Sequence, residues 1–212
     1  MLRRFFLLPA LACLCSLAQA EPKSIAFDFG SWAEGIPPKD VFVVDGAVTV
    51  ATRQGRKVLE VGVDPMADAL ALLGPSTTHR ASVSARMFAT KAGRTYPRFG
   101  IGVHGQSGYR LLIVPAKKEL QLLRREQVVK AIPFTWTSDT WFVMKLTADR
   151  PAADGPWTLS GKAWPADAPE PAGPLLSHED ATYRGQGRCF ITATPYASTP
   201  IDFEDLKIEI SD

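Results

Sequence analysis

Residues 80–88 read RASVSARMF, and their two interleaved sets of side chains decide the fold class. Ala81, Val83, Ala85 and Met87 are apolar, while Arg80, Ser82, Ser84 and Arg86 between them are polar. Alternation with a period of two puts one set on a buried face and the other on a wet face, as in a strand packed on one side. The rhythm recurs in RFGIGVH (98–104), where Phe99, Ile101 and Val103 alternate with Arg98, Gly100, Gly102 and His104. It recurs again in WFVMKLTA (141–148) and WTLSGKAW (157–164), the latter with Trp157 in the buried phase and Trp164 in the wet phase.

Further β-rich runs lie at 24–29, 41–44, 47–52, 57–61, 70–73, 109–115, 119–125, 128–134, 188–194 and 201–210. Gly, Pro, Asp and Ser separate them, and no amphipathic helix interrupts them. Many short strands with turn residues between them predict an all-β, two-sheet antiparallel sandwich. Asp45-Gly46 reads as a hairpin turn, and Ala116-Lys117-Lys118 as a hairpin tip. EGIPPKD and PADAPEPAGPLL read as loops, because proline removes ladder donors.

The chain opens with MLRRFFLLPALACLCSLAQA (1–20). Two arginines, an apolar run and Ala18-Gln19-Ala20 make a secretory signal peptide, with the domain proper at 21–212 and an exported, periplasmic or extracellular destination. The alternative is lipoprotein processing at Cys13 or Cys15. No later run approaches the roughly 18 apolar residues of a membrane span. The chain carries 24 basic and 22 acidic residues, and the signal takes two arginines, leaving 22 of each. That balance argues against nucleic acid, which needs net positive charge. Cys189 is the one cysteine outside the signal, so no internal disulfide is expected, and its apolar run marks it as a buried thiol.

YPRFGIGVHGQSGYRLLIVPAKKELQLLRRE, WFVMKLTA, WTLSGKAWPADAPEP and the closing TPIDFEDLKIEI together resemble the concanavalin A-like lectin/glucanase jelly roll. The nearest flavour is the secreted bacterial group of laminin-G-like and 3-keto-disaccharide hydrolase domains. The resemblance implies two packed sheets, one of them curved, with a sugar chain on the concave face. It also implies a structural calcium between the first and last strands, with Asp205 as the closing-strand acid and Asp28 as its neighbour. Where related chains carry Trp after the Glu-Pro pair, this one has Ala172-Gly173-Pro174.

The wet phases supply the candidate ligand-binding residues: Arg86, Arg98, His104, Arg110 and Trp164, with Arg80 alongside. Arginine suits carboxylate or sulfate groups of acidic glycans, and tryptophan stacks on sugar rings. His104 reads either as a surface polar residue or as part of the site. The Glu-x-Asp-x-x-Glu run of related glycosidases is absent, and the three histidines lack metal-ligand spacing. Asp202 reads as strand exterior and Lys207 and Glu209 as solvent face, with a bulge near Glu204-Asp205 and Ile201, Phe203, Leu206, Ile208 and Ile210 on the core side. The leading expectation is a non-catalytic carbohydrate-binding domain of unspecified oligomeric state. The alternatives are an enzyme acting on glycosides or keto-disaccharides through His104, and a structural envelope protein.

Overall fold

The computed structural model describes residues 22–64, 68–152 and 154–211, so the proposed signal segment at 1–20 lies outside the described residues. Among the described residues fifteen strands follow in order: β1 Lys23–Ala26, β2 Val41–Asp45, β3 Val48–Arg53, β4 Arg56–Val61, β5 Ala69–Thr77, β6 Ala81–Ala89, β7 Arg98–Val103, β8 Tyr109–Val114, β9 Glu119–Arg124, β10 Gln127–Pro133, β11 Thr140–Asp149, β12 Trp157–Pro165, β13 Leu176–Asp180, β14 Gly187–Thr194 and β15 Ile201–Ile210. They form two antiparallel sheets. One runs β13-β12-β11-β6-β15-β4-β3 with β1 added on β15, and the other runs β10-β9-β8-β7-β14-β5-β2.

The alternating strands pack as their period requires. Ala81, Val83, Ala85 and Met87 of β6, Phe142, Met144 and Leu146 of β11, and Phe99, Ile101 and Val103 of β7 all enter one core between the sheets. Gly161 of β12 lets the sheets approach closely, since a Cβ there would lie 2.9 Å from a Leu111 methyl of the opposite sheet. Cys189 is buried and burial pushes its thiol up to about 12, so it behaves as a small hydrophobe.

The closing strand answers its sequence in detail. Ile201, Phe203, Leu206, Ile208 and Ile210 are all core residues. The register against β6 slips between Glu204 and Lys207, and Asp205 takes a φ of 50°. The slip has a topological cause. On its other edge β15 pairs β4 through Ile201–Phe203 and then β1 through Lys207–Ile210, so the bulge falls where one neighbour replaces the other.

Asp45-Gly46 does not close a hairpin. β2 belongs to the seven-stranded sheet and β3 to the eight-stranded one, so this turn carries the chain between sheets. Gly46 has a φ of 74° and sits against Ala69, whose Cβ would be 2.6 Å from any Cβ placed there. The sequence reading also omits β13, whose five residues follow the proline-rich loop directly.

Candidate functional site

The outer face of the seven-stranded sheet is set by register. One row crosses all seven strands: Phe42, Leu72, Phe190, Gly102, Arg110, Leu123 and Val128 are successive cross-strand partners. The next row runs Asp45, Leu70, Thr192, Gly100, Leu112 and Gln121. The glycines leave room on this face. Phe190 lies over Gly102, whose Cβ would fall 2.0 Å from the ring, and Phe190 is wholly buried. Leu112, Val114 and Leu123 form a small apolar cluster of their own, separate from the main core.

A cleft of about 240 Å³ opens at the loop end of this face. Leu70, Arg110 and Thr192 form its buried floor, and Asp45, Asp68, Gln106, Arg125 and Glu126 form its exposed rim. Arg110 is 8% exposed, and its Nη2 lies 3.1 Å from Glu126 Oε1. Beside the cleft, Arg98 Nη2 donates to both oxygens of Asp68, at 2.9 and 2.8 Å, and to Thr194 Oγ1 at 3.3 Å. Thr194 donates to the same carboxylate, and the Arg98 guanidinium stands 5.8 Å from the Tyr196 ring centroid. Burial alone would raise the Asp68 pKa. The Thr194 hydrogen bond and the Arg98 charge outweigh it, so the carboxyl is held below its ordinary range.

Arg86 and Trp164 lie on the other sheet. They share one outer row, Trp164–Val143–Arg86–Glu204, with Arg86 stacked over Trp141 at 5.0 Å. The neighbouring row is Trp141–Phe88–Asp202–Glu60. Lys162 donates to Glu170 and to the Pro171 carbonyl, which ties the proline-rich loop to this face. Asp202, expected at the exterior, is on the outer side of the sheet but only 4% exposed, with its Oδ1 lacking any hydrogen-bond partner.

His104 belongs to neither outer face. It follows the end of β7 with a φ of 60°, which turns it out of the strand's alternation, and it is 1% exposed. Its Nε2 is 2.9 Å from the His79 carbonyl oxygen and its Nδ1 is 2.9 Å from Tyr183 Oη. A carbonyl only accepts, so Nε2 carries the proton and Nδ1 accepts from the tyrosine. Trp157 packs against the ring, and a Cβ at Gly185 would fall 2.6 Å from it. Burial depresses the His104 pKa, so this is a neutral core imidazole.

Asp28 and Asp205 do come together, in a cleft of about 270 Å³ shared with Glu204, Arg56 and Lys57. The donor set does not fit calcium. Among the described residues no group of three or more His, Cys, Asp or Glu side chains is placed to hold a metal ion. Asp28 Oδ1 accepts from the Gly30 amide at 3.1 Å, and two arginines occupy the other carboxylates.

Thus the structure joins Arg98 with Arg110, and Arg86 with Trp164, while placing the pairs on opposite sheets. Of the residues lining the cleft, the sequence reading named only Arg110 as a site residue, and it passed over Asp68, Glu126 and Thr192 there and Thr194 beside it. Thr192 and Thr194 had a legible signal, alternating with Ile191 and Ala193 in CFITAT. Asp68 and Glu126 sit in loops and gave none.

No protein-family model matches the chain, and no curated protein matches it in sequence. Solved structures do match in shape. Lectin I-B4 from Griffonia simplicifolia, in a metal-free form, aligns with a TM-score of 0.61 at 11% identity over 88% of this chain and 98% of that one. Lectin II from Ulex europaeus aligns at 0.56 with 13% identity, over 89% and 98%. The carbohydrate-binding module CBM66 from Bacillus subtilis aligns at 0.53 with 12% identity, over 78% and 94%. At such identities the likeness speaks for architecture alone, and by that architecture the chain has the concanavalin A-like jelly-roll fold.

Proposed function

We propose that this chain is an exported, non-catalytic domain that binds an uncharged glycan in the cleft formed by Asp45, Asp68, Gln106, Arg110, Arg125, Glu126 and Thr192. The observation that carries the reading is the pairing of the two least exposed guanidiniums at this cleft. Arg98 is engaged by Asp68 and Arg110 by Glu126, so neither guanidinium is left to attract an anion. This favours a polyhydroxylated neutral ligand over the acidic glycans that arginine content alone suggests. A paired carboxylate and guanidinium offer acceptor and donor side by side, as adjacent sugar hydroxyls require. Tyr196, exposed beside Arg98, is an aromatic surface for a sugar ring. Asp68, held ionised by the Thr194 hydrogen bond and the Arg98 charge, is poorly suited to proton donation, which supports binding over hydrolysis.

The fold agrees with this reading, since its solved neighbours include lectins, one of them complexed with galactose, and a carbohydrate-binding module. Calcium has no part in this reading, because Arg56 and Arg86 both reach Asp205, the closing-strand acid expected to hold it. Among the described residues no helix is long and apolar enough to cross a membrane. The signal segment predicts a mature chain beginning at Glu21, which intact mass of the exported protein checks.

A neutral and an acidic polysaccharide panel, read by calorimetry, tests the binding. Retention of neutral glycans, weakened ~10- to 100-fold by Arg110→Met, is expected for loss of a charged hydrogen bond. Binding of uronic or sulfated glycans alone, or of none, would overturn the proposal.

A further inference from the structure

The carboxylates at the β15 bulge are gathered around the side chains of two arginines. Glu204 is 2% exposed, and its Oε1 lies 2.5 Å from Arg86 Nη1 while its Oε2 lies 3.1 Å from Arg56 Nε. The same guanidiniums reach Asp205 Oδ2, at 3.3 Å from Arg86 Nη1 and 3.8 Å from Arg56 Nη2. Two carboxylates therefore meet two guanidiniums, and the charge closes without an ion. A calcium ion needs six to eight oxygen ligands, whereas these oxygens face guanidiniums at ion-pair distance, and Asp205 Oδ2 accepts a hydrogen bond from Arg86 Nη1 at 3.3 Å.

The place of this quartet in the fold matters more than its charge. Arg56 opens β4, Arg86 lies in β6, and Glu204-Asp205 is the point in β15 where β4 gives way to β1. Three adjacent strands are thus tied at the one irregularity in the closing strand. Arg86 is itself held by stacking over Trp141 at 5.0 Å. A planar guanidinium with several donors can bridge two carboxylates, which a lysine could not do with the same geometry.

We infer that Arg56 and Arg86 form a built-in guanidinium clamp on Glu204 and Asp205 that takes the place of a structural metal ion in closing the sandwich. The clamp makes two demands on experiment. Thermal unfolding of the purified protein in EDTA, in calcium and in manganese should give coincident curves. A melting temperature lowered by EDTA or raised by either metal would overturn the inference.

The second demand concerns the arginines themselves. Arg86→Gln leaves a buried carboxylate short of its countercharge and should lower the melting temperature by roughly 5–10 °C. Adding Glu204→Gln should restore most of the loss, because the uncompensated charge is then gone. An Arg86→Gln variant as stable as the parent, or a double variant that loses further stability, would overturn the clamp. Should Arg86→Gln fail to fold, Glu204→Gln alone and the chelator melts still decide. Glu204→Gln should then tolerate EDTA as the parent does, and sensitivity to it would count against the clamp.

Discussion

At the residue scale, Asp202 and His104 are buried ionisable groups whose burial drives stability in opposite directions with pH. The Asp202 pKa is raised to about 6, chiefly by desolvation and further by Glu204, against the pull of Arg53. A pKa raised on folding contributes stability in full below the unfolded value near 3.9, and that contribution is lost as pH rises through about 6. At pH 7 the ionised carboxylate is therefore a burden, and Asp202→Asn should stabilise the protein by about 1–3 kcal/mol. The difference should vanish near pH 4, and urea unfolding at the two pH values measures it. A variant no more stable at pH 7 would show that Asp202 is better solvated than its surroundings imply.

His104 runs the other way. Its pKa is lowered by burial, so its contribution is present above the unfolded value near 6.5 and is lost as pH falls through the folded one. Tyr183 and Trp157 around it carry no countercharge to offset protonation. The imidazole should titrate below an exposed histidine, which the pH dependence of its ring proton shifts reports. Half-protonation at or above pH 6.5 would contradict the burial. The sequence could not place this residue. Alternation along RFGIGVH assigns it to the wet face, and only the left-handed turn after Val103 reverses that.

At the element scale, the parts that were legible are those fixed by local pattern. The alternation in β6, β7, β11 and β12 was visible residue by residue, and so was the bulge in β15, because Phe203 and Leu206 cannot share a face without one. What was not legible was sheet membership. Residues 80–88 and 98–104 carry the same rhythm and similar arginines, but β6 and β7 lie in different sheets, and alternation holds no record of which neighbour a strand will pair. Asp45-Gly46 failed for the same reason. Its dipeptide specifies a tight reversal, and the reversal is used to cross between sheets. Gly46→Ala should cost roughly 1–3 kcal/mol, from a positive φ and from contact with Ala69, measured by chemical denaturation. A neutral outcome would mean that the crossing turn relaxes freely. Deleting β15 from Ile201 onward should abolish folding, since it removes the strand that β6, β4 and β1 all pair.

At the scale of the whole molecule, the two outer faces carry separate tasks. Arg98 and Arg110 stand on the seven-stranded sheet beside the proposed ligand cleft, and Arg86 stands on the eight-stranded sheet in the clamp. Packed sheets lie about 10 Å apart, and side chains at that separation with no shared partner act independently. Arg110→Met keeps an apolar stem in its buried place, frees the well-exposed Glu126 and leaves Asp68 its closer Arg98 and Thr194 partners, so it should reduce glycan affinity with little change in melting temperature. Arg86→Gln should do the reverse, lowering the melting temperature while glycan affinity at 20 °C stays within about twofold of the parent. The double variant should show both losses at the size each has alone, within about 0.5 kcal/mol. Calorimetry and thermal melts on the four proteins give the two readouts. A coupling well beyond that margin would mean that the faces communicate through the core, and that ligand cleft and clamp are parts of one site.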